Sequence, residues 1–138
     1  MDKYKVAIVD DDEVALENLS FELGKDARFF LKGTARNGKQ GKKLIAKVQP
    51  DLLFLDVELP DMTGMELLQE IRDSVSWNMR IVFYTAYDKY MIYAIRGAAF
   101  DYLLKPIDKK ELEGIIDRFM KKAEESAAAS LVIPPRVY

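Results

Sequence analysis

Five short apolar runs, rich in β-branched and aromatic residues, alternate along the chain with longer stretches whose apolar positions recur every three to four residues. That alternation is the pattern of βαβ units, in which buried parallel strands read as continuous hydrophobic runs and crossover helices as one-sided stripes. The runs predict strands at Lys5 to Val9, Phe29 to Ala35, Leu52 to Asp56, Ile81 to Tyr84 and Asp101 to Leu104. Leu16, Leu19 and Leu23 mark one helix face, Leu44, Ile45 and Val48 a second, Leu67, Leu68 and Ile71 a third, and Met91, Ile95 and Ala98 a fourth. Leu112, Ile115, Ile116, Phe119 and Met120 line a fifth at helical spacing. Thr63 with Glu66, and Asp108 with Glu111, have capping-box spacing, and Gln49-Pro50 closes the second helix. Beyond about residue 122 the stretch "KAEESAAASLVIPPRVY" leads Ala and Ser into a Pro-Pro pair that cannot continue a helix. Residues 1–122 are therefore expected to form the domain, and 123–138 a helix run-out and linker or tail.

A chain of 138 residues, 49% hydrophobic and 32% charged, suits one globular domain with a real core. No apolar run approaches the roughly 18 residues of a membrane span, and "MDKYKVAIVDDDE" lacks a signal peptide's positive-then-apolar layout. A soluble cytoplasmic protein is expected. The absence of His and Cys removes the commonest general base, thiolate nucleophiles and soft metal sites. A net charge of −2 with mixed signs leaves no basic footprint for nucleic acid. Carboxylates, hydroxyls and lysines must carry whatever chemistry there is.

"VAIVDDDEV" places four acids directly after a buried strand. At about 4 Å and an effective dielectric of about 20, neighbouring carboxylates repel by roughly 4 kcal/mol, so the charges either splay into water or hold a cation. Asp12 and Glu13 read as a solvated helix start, where acids are favourable. Asp10 and Asp11 read differently, because ligands of an open parallel sheet sit beyond the carboxyl ends of its strands. Asp56, Thr85 and Lys105-Pro106 fall at the ends of the third, fourth and fifth strands, so the fold gathers them at one rim with Asp10 and Asp11. Clustered carboxylates without His or Cys suit a hard cation, magnesium with manganese as the alternative. Asp56 is the nucleophile candidate for forming an acyl phosphate, with Asp10 and Asp11 on the metal. Lys105 would offset charge on the phosphoryl group, and Thr85 would donate to it.

The stretches "VAIVDDDEVALENL", "PDLLFLDVELPDMTGMELLQEIR", "VFYTAYDKY" and "AAFDYLLKPID" resemble the receiver domain of two-component response regulators, over residues 3–122. Within that family "TAYDKY" and "FDYLLKPID" are most similar to receivers of LytTR-type transcription regulators. The resemblance implies a flavodoxin-like, doubly wound α/β fold: a five-stranded parallel sheet of order 2-1-3-4-5 with five helices. It implies Asp56 as phosphoacceptor from a sensor histidine kinase, and Asp10 and Asp11 as the acidic pair with Asp11 the more direct magnesium ligand. The Glu58 backbone carbonyl would complete the coordination. It further implies Thr85 and Tyr102 as the switch pair, Lys105 as the family's lysine, and a cis bond before Pro106. The protein would then catalyse only its own phosphorylation and dephosphorylation. DNA would be reached through an output domain outside these 138 residues.

Glu58 and Tyr87 flank the place where water would reach an acyl phosphate, and bulk at Tyr87 would lengthen its lifetime. Tyr102 alone would read as a core aromatic, and Asp51, Asp61 and Asp88 as a strand lead-in, a loop residue and a helix cap. In "YMIYAIRGAAF" the residues Tyr90, Met91, Ile92, Tyr93 and Ile95 spread apolar character around most of a helix. In receivers the fourth helix, fifth strand and fifth helix form the output face, so this surplus suggests a homodimer or partner surface there. Two other functions stay open: an aspartyl-phosphate phosphatase with Glu58 as second acid, and a flavin-binding flavodoxin-like module.

Overall fold

The computed structural model describes residues 3–90, 97 and 99–131, with backbone alone at 90 and 127–131. The chain divides into two compact units at Asp108. The first contains β1 (Tyr4–Val9), α1 (Glu13–Gly24), β2 (Phe29–Ala35), α2 (Gly38–Val48), β3 (Leu52–Leu55), α3 (Gly64–Ile71), β4 (Arg80–Thr85) and β5 (Asp101–Leu104). Short 3-10 turns at Arg72–Ser74 and Asp88–Tyr90 complete it. The second unit holds one helix, Lys109–Leu131, on which Leu112, Ile115, Ile116 and Phe119 are buried and Met120 half-buried. This helix extends well past residue 122. The expected fourth helix, marked by Met91, Ile95 and Ala98, and the side chains of 90–95 lie outside the described residues.

All strand pairs are parallel, in the order β2-β1-β3-β4-β5. The three central strands are almost wholly apolar, since a parallel strand covered on both faces meets no water on either. Alternate side chains divide between the faces. Ala7, Val9, Leu53, Leu55 and Phe83 join Ile45 of α2 and Leu67 and Ile71 of α3 in one core. Val6, Ile8, Leu52, Phe54, Val82 and Tyr84 take the other face, where the Tyr84 hydroxyl donates to the Ala15 carbonyl of α1 at 2.9 Å. Helices thus cover both faces of the sheet. Each fully buried Leu, Ile or Phe contributes about 1.5–3 kcal/mol relative to an exposed one, so this two-sided core fixes the register.

Local signals explain the helix limits. Asp12 caps α1 by accepting from Val14 and Ala15 N–H, Asn37 caps α2, and Thr63 with Glu66 forms the expected capping box on α3. Gln49 ends α2 at φ 51°, its N–H bonded to the Ile45 carbonyl. The α1 stripe differs from expectation: Ala15, Leu19 and Leu23 are buried and Leu16 only half so, because the helix seats its i, i+4, i+8 row on the sheet. On α2, likewise, Ile45 is buried while Leu44 and Val48 are half-buried. The third strand stops at Leu55, which leaves Asp56 just beyond it, and the fourth spans Arg80–Thr85, longer than Ile81 to Tyr84.

Candidate functional site

The sheet ladder runs one residue past the strands and places the polar residues. Asp10 N–H donates to the Ala35 carbonyl at 2.9 Å, Asp56 N–H to the Val9 carbonyl at 2.9 Å, and Lys105 N–H to the Thr85 carbonyl at 2.8 Å. Three of these side chains therefore hang from backbone already fixed by the sheet, the most precise support a fold offers. An open cleft of about 360 Å³ lies at this rim, lined among others by Asp11, Asp56, Glu58, Tyr87 and Lys105. Thr85, the last residue of β4, is fully buried.

Carboxylate oxygens of Asp10, Asp11 and Asp56 lie within 4.8 Å of one another, Asp11 exposed and the other two buried. Lys105 Nζ lies 2.7 Å from Asp10 Oδ2 and 3.0 Å from Asp56 Oδ2. The Asp56 contact is a directed hydrogen bond, whereas Asp10 Oδ2 is held by charge contact without hydrogen-bond geometry. The second oxygens are occupied by backbone: Asp12 N–H donates to Asp10 Oδ1 at 2.9 Å and Glu58 N–H to Asp56 Oδ1 at 3.1 Å.

One ammonium thus serves two buried carboxylates. Burial pushes the Asp10 carboxyl up to about 6, against the pull of Lys105 and the Asp12 N–H, and nearby Asp56 adds to the rise. Burial also works against the Lys105 charge, but Asp10 and Asp56 together outweigh it and hold Lys105 above its ordinary value. Three convergent carboxylates with, among the described residues, a single cation between them fit a hard divalent ion on oxygen ligands, which would relieve the charge that burial leaves uncompensated.

Tyr84 escaped sequence reasoning. Lys105 Nζ lies over its ring, 5.1 Å from the centroid, so an apolar cation–π surface supports the ammonium from below. Burial, followed by the charge of Asp10, raises the Tyr84 hydroxyl, which stays a neutral donor to Ala15. A polar-tipped aromatic in a strand buried on both faces was the available signal. At the outer rim Tyr87 is exposed, and its carbonyl accepts the Tyr102 hydroxyl. Lys89 Nζ lies 3.5 Å from Glu58 Oε2 and over the Tyr87 ring. The Tyr102 ring meets Phe83 edge-on, and the Lys105-Pro106 peptide bond is cis.

Residues 6–117 match the response regulator receiver domain. The chain belongs to the receiver domain family of response regulators. Its similarity to the transcriptional regulatory protein BtsR of Escherichia coli K12 is 37% identity over 127 residues, 92% of this chain and 52% of that one. The chain spans about half the length of the curated relatives it matches. Among solved structures, the receiver of AraT from Geobacillus stearothermophilus matches with a TM-score of 0.80 and 28% identity, covering 90% of this chain and 98% of that one. TrrA from Thermotoga maritima, solved in complex with Mg2+-BeF, matches at 0.73 and 29% identity, covering 84% and 98%. Receivers as a family are phosphoacceptors, so of the readings the sequence left open this is the one the family supports. No helix among the described residues is long and apolar enough to cross a membrane.

Proposed function

We propose that this receiver accepts a phosphoryl group on Asp56 from the phosphohistidine of a sensor histidine kinase. The observation that carries the reading is the Lys105 ammonium shared between Asp10 and Asp56 beside the exposed Asp11. In the transfer an Asp56 carboxylate oxygen forms the new P–O bond, the P–N bond to imidazole breaks, and imidazole leaves with its electron pair. Lys105 sits against the attacking carboxylate and supplies fixed positive charge where phosphoryl oxygens gather negative charge. Asp10, Asp11, Asp56 and the Glu58 carbonyl would hold Mg2+, or Mn2+, which neutralises phosphoryl charge when bound. The complex of TrrA with Mg2+-BeF supports that choice of ion.

Thr85 Oγ1 lies 3.5 Å from Tyr87 N. Turning Thr85 toward a phosphoryl oxygen gives up that contact, frees the loop after β4 and lets Tyr102 leave the Tyr87 carbonyl and rotate inward. The surface of β5, which carries Tyr102, is then biased toward a new partner, a second copy of the chain among the candidates. Residues 1–122 serve as the receiver and 123–138 as helix run-out and linker, in the cytoplasm. The motifs of LytTR-type receivers, and a relative described as a transcriptional regulator of twice this length, support a DNA-binding output outside these residues.

Incubation with acetyl phosphate and magnesium, followed by intact mass, tests the reading. Wild type is expected to gain one phosphoryl group and Asp56→Asn none; an adduct that survives Asp56→Asn overturns the assignment.

A further inference from the structure

The loop between β3 and α3 supplies Glu58, Leu59 and Pro60 to the wall of the cleft, and its far end is fastened to another element. Asp61 sends its carboxylate to the first turn of α2, where Gly38 N–H donates to Oδ1 at 2.7 Å and Lys39 N–H to Oδ2 at 3.0 Å. Asn37 already takes Gln40 N–H at 2.8 Å. Donors that the helix itself leaves without carbonyls are thus divided between a local cap and an acid 22 residues from Lys39. The side chain of the next residue, Met62, packs where a Cβ on Gly38 would be, so loop and helix meet closely here. The Gly38 N–H in particular holds the Asp61 carboxyl below the usual carboxylate range, so the fastening stays charged at neutral pH.

A surface acid needs none of this to be soluble. Within the loop, Leu59 N–H donates to the Met62 carbonyl at 3.2 Å, and Gly64 N–H to the Val57 carbonyl at 2.6 Å. A pull at Asp61 is therefore transmitted through a closed turn to Glu58, whose N–H holds Asp56 Oδ1. We propose that Asp61 is a positioning residue for phosphorylation: by tying the loop to α2 it fixes the Glu58 backbone and, through it, the Asp56 carboxylate. This rests on the reading of Asp56 as phosphoacceptor and of Glu58 as a carbonyl donor to the ion. Groups hydrogen-bonded directly to a metal ligand are worth about 10–100-fold in affinity or activity, and Asp61, which reaches Glu58 only through the turn, is set at the lower end of that scale.

The test measures Mg2+ affinity by isothermal titration calorimetry, and the rate of adduct formation with acetyl phosphate by intact mass, on the full chain. Asp61→Ala is expected to weaken Mg2+ binding and slow the adduct by about tenfold each. Asp61→Asn, which keeps an acceptor oxygen for Gly38 N–H, is expected to recover most of both. Asn37→Ala removes the other cap of the same helix turn without touching the loop, and is expected to lower the melting temperature while leaving Mg2+ affinity at the wild-type value. The proposal is overturned if Asp61→Ala binds and reacts as wild type, or if Asn37→Ala weakens Mg2+ binding as much. Asp61→Ser, whose shorter side chain cannot bond both Gly38 and Lys39 N–H, replaces Asp61→Ala should that variant not fold, and unchanged Mg2+ affinity in it overturns the proposal equally. A wild-type protein that binds Mg2+ but forms no adduct would instead remove the phosphoacceptor reading, leaving the Mg2+ titrations to judge Asp61.

Discussion

Two loops face each other across the acidic cleft and are held in opposite ways. The loop after β3 is closed on itself by Gly64 N–H to the Val57 carbonyl, bridged between Glu58 and Thr63, capped onto α3 and fastened to α2 through Asp61. The loop after β4 runs through exposed Ala86, Tyr87, Asp88 and Lys89, joined by a 3.5 Å contact to Thr85, a 3.5 Å ion pair to Glu58 and the Tyr102 hydroxyl. Phosphoryl transfer needs reacting groups fixed to within fractions of an ångström, whereas a switch needs a segment that opens cheaply. The two demands fall on different loops: the one after β3 is tied down at both ends, while the one after β4 is exposed along its length.

The largest expected effect comes from breaking the rigid side. A Cβ at Gly64 would sit 2.6 Å from the Asp56 carbonyl oxygen, a backbone atom with nowhere to go. Gly64→Ala is therefore expected to cost about 1–3 kcal/mol of stability in urea unfolding, while Tyr87→Ala in the opposite loop stays within about 0.5 kcal/mol of wild type. Equal losses from the two would erase the contrast. The Tyr87 variant has its own expected effect, a shorter-lived adduct, since its bulk stands at the mouth of the cleft.

A smaller effect exposes the electrostatic cost of that rigidity. Asp10 titrates near 6 in the fold against 3.8 when exposed, so the folded state binds the extra proton. Stability from this group is present below the unfolded value and lost as pH rises through the folded one. Asp10→Asn removes the cost, offset in part by the lost partner of Lys105, and is expected to stabilise the magnesium-free protein by about 1 kcal/mol at pH 7.5. The gain should shrink toward zero between pH 6 and pH 4, read from melting curves across pH. A gain that persists at pH 4 would place the cause elsewhere. Smallest of all, Tyr102→Phe removes the exposed bond to the Tyr87 carbonyl and is expected to change stability by about 0.5 kcal/mol or less. Faster amide hydrogen exchange at 86–89 is the expected readout; unchanged exchange would mean that the bond does not restrain the loop.

Much of this was legible in the residues, for an identifiable reason. Strand and helix limits follow from local periodicity and caps, and the gathering of Asp10, Asp56, Thr85 and Lys105 follows from one rule about strand ends. The partners of Tyr84 and Asp61 were not legible, because they lie far along the chain. The Tyr84 hydroxyl finds Ala15 across 69 residues, and nothing near Asp61 distinguishes an acid that faces water from one that reaches another helix. The shift from Leu16 to Ala15 on α1 has a related origin, since both rows are apolar and only the seat of the helix on the sheet chooses between them.

The one-residue extension of the ladder at Asp10, Asp56 and Lys105 has a consequence for engineering. Asp10, Asp11, Asp56, Thr85 and Lys105 all sit at the carboxyl rim, away from the rim where the chain enters each strand. New termini or an inserted domain between Gly24 and Arg28, ahead of β2, would leave every spacing in the cleft unaltered. A domain inserted there would carry a sensor at the far end of the sheet from the acidic cleft.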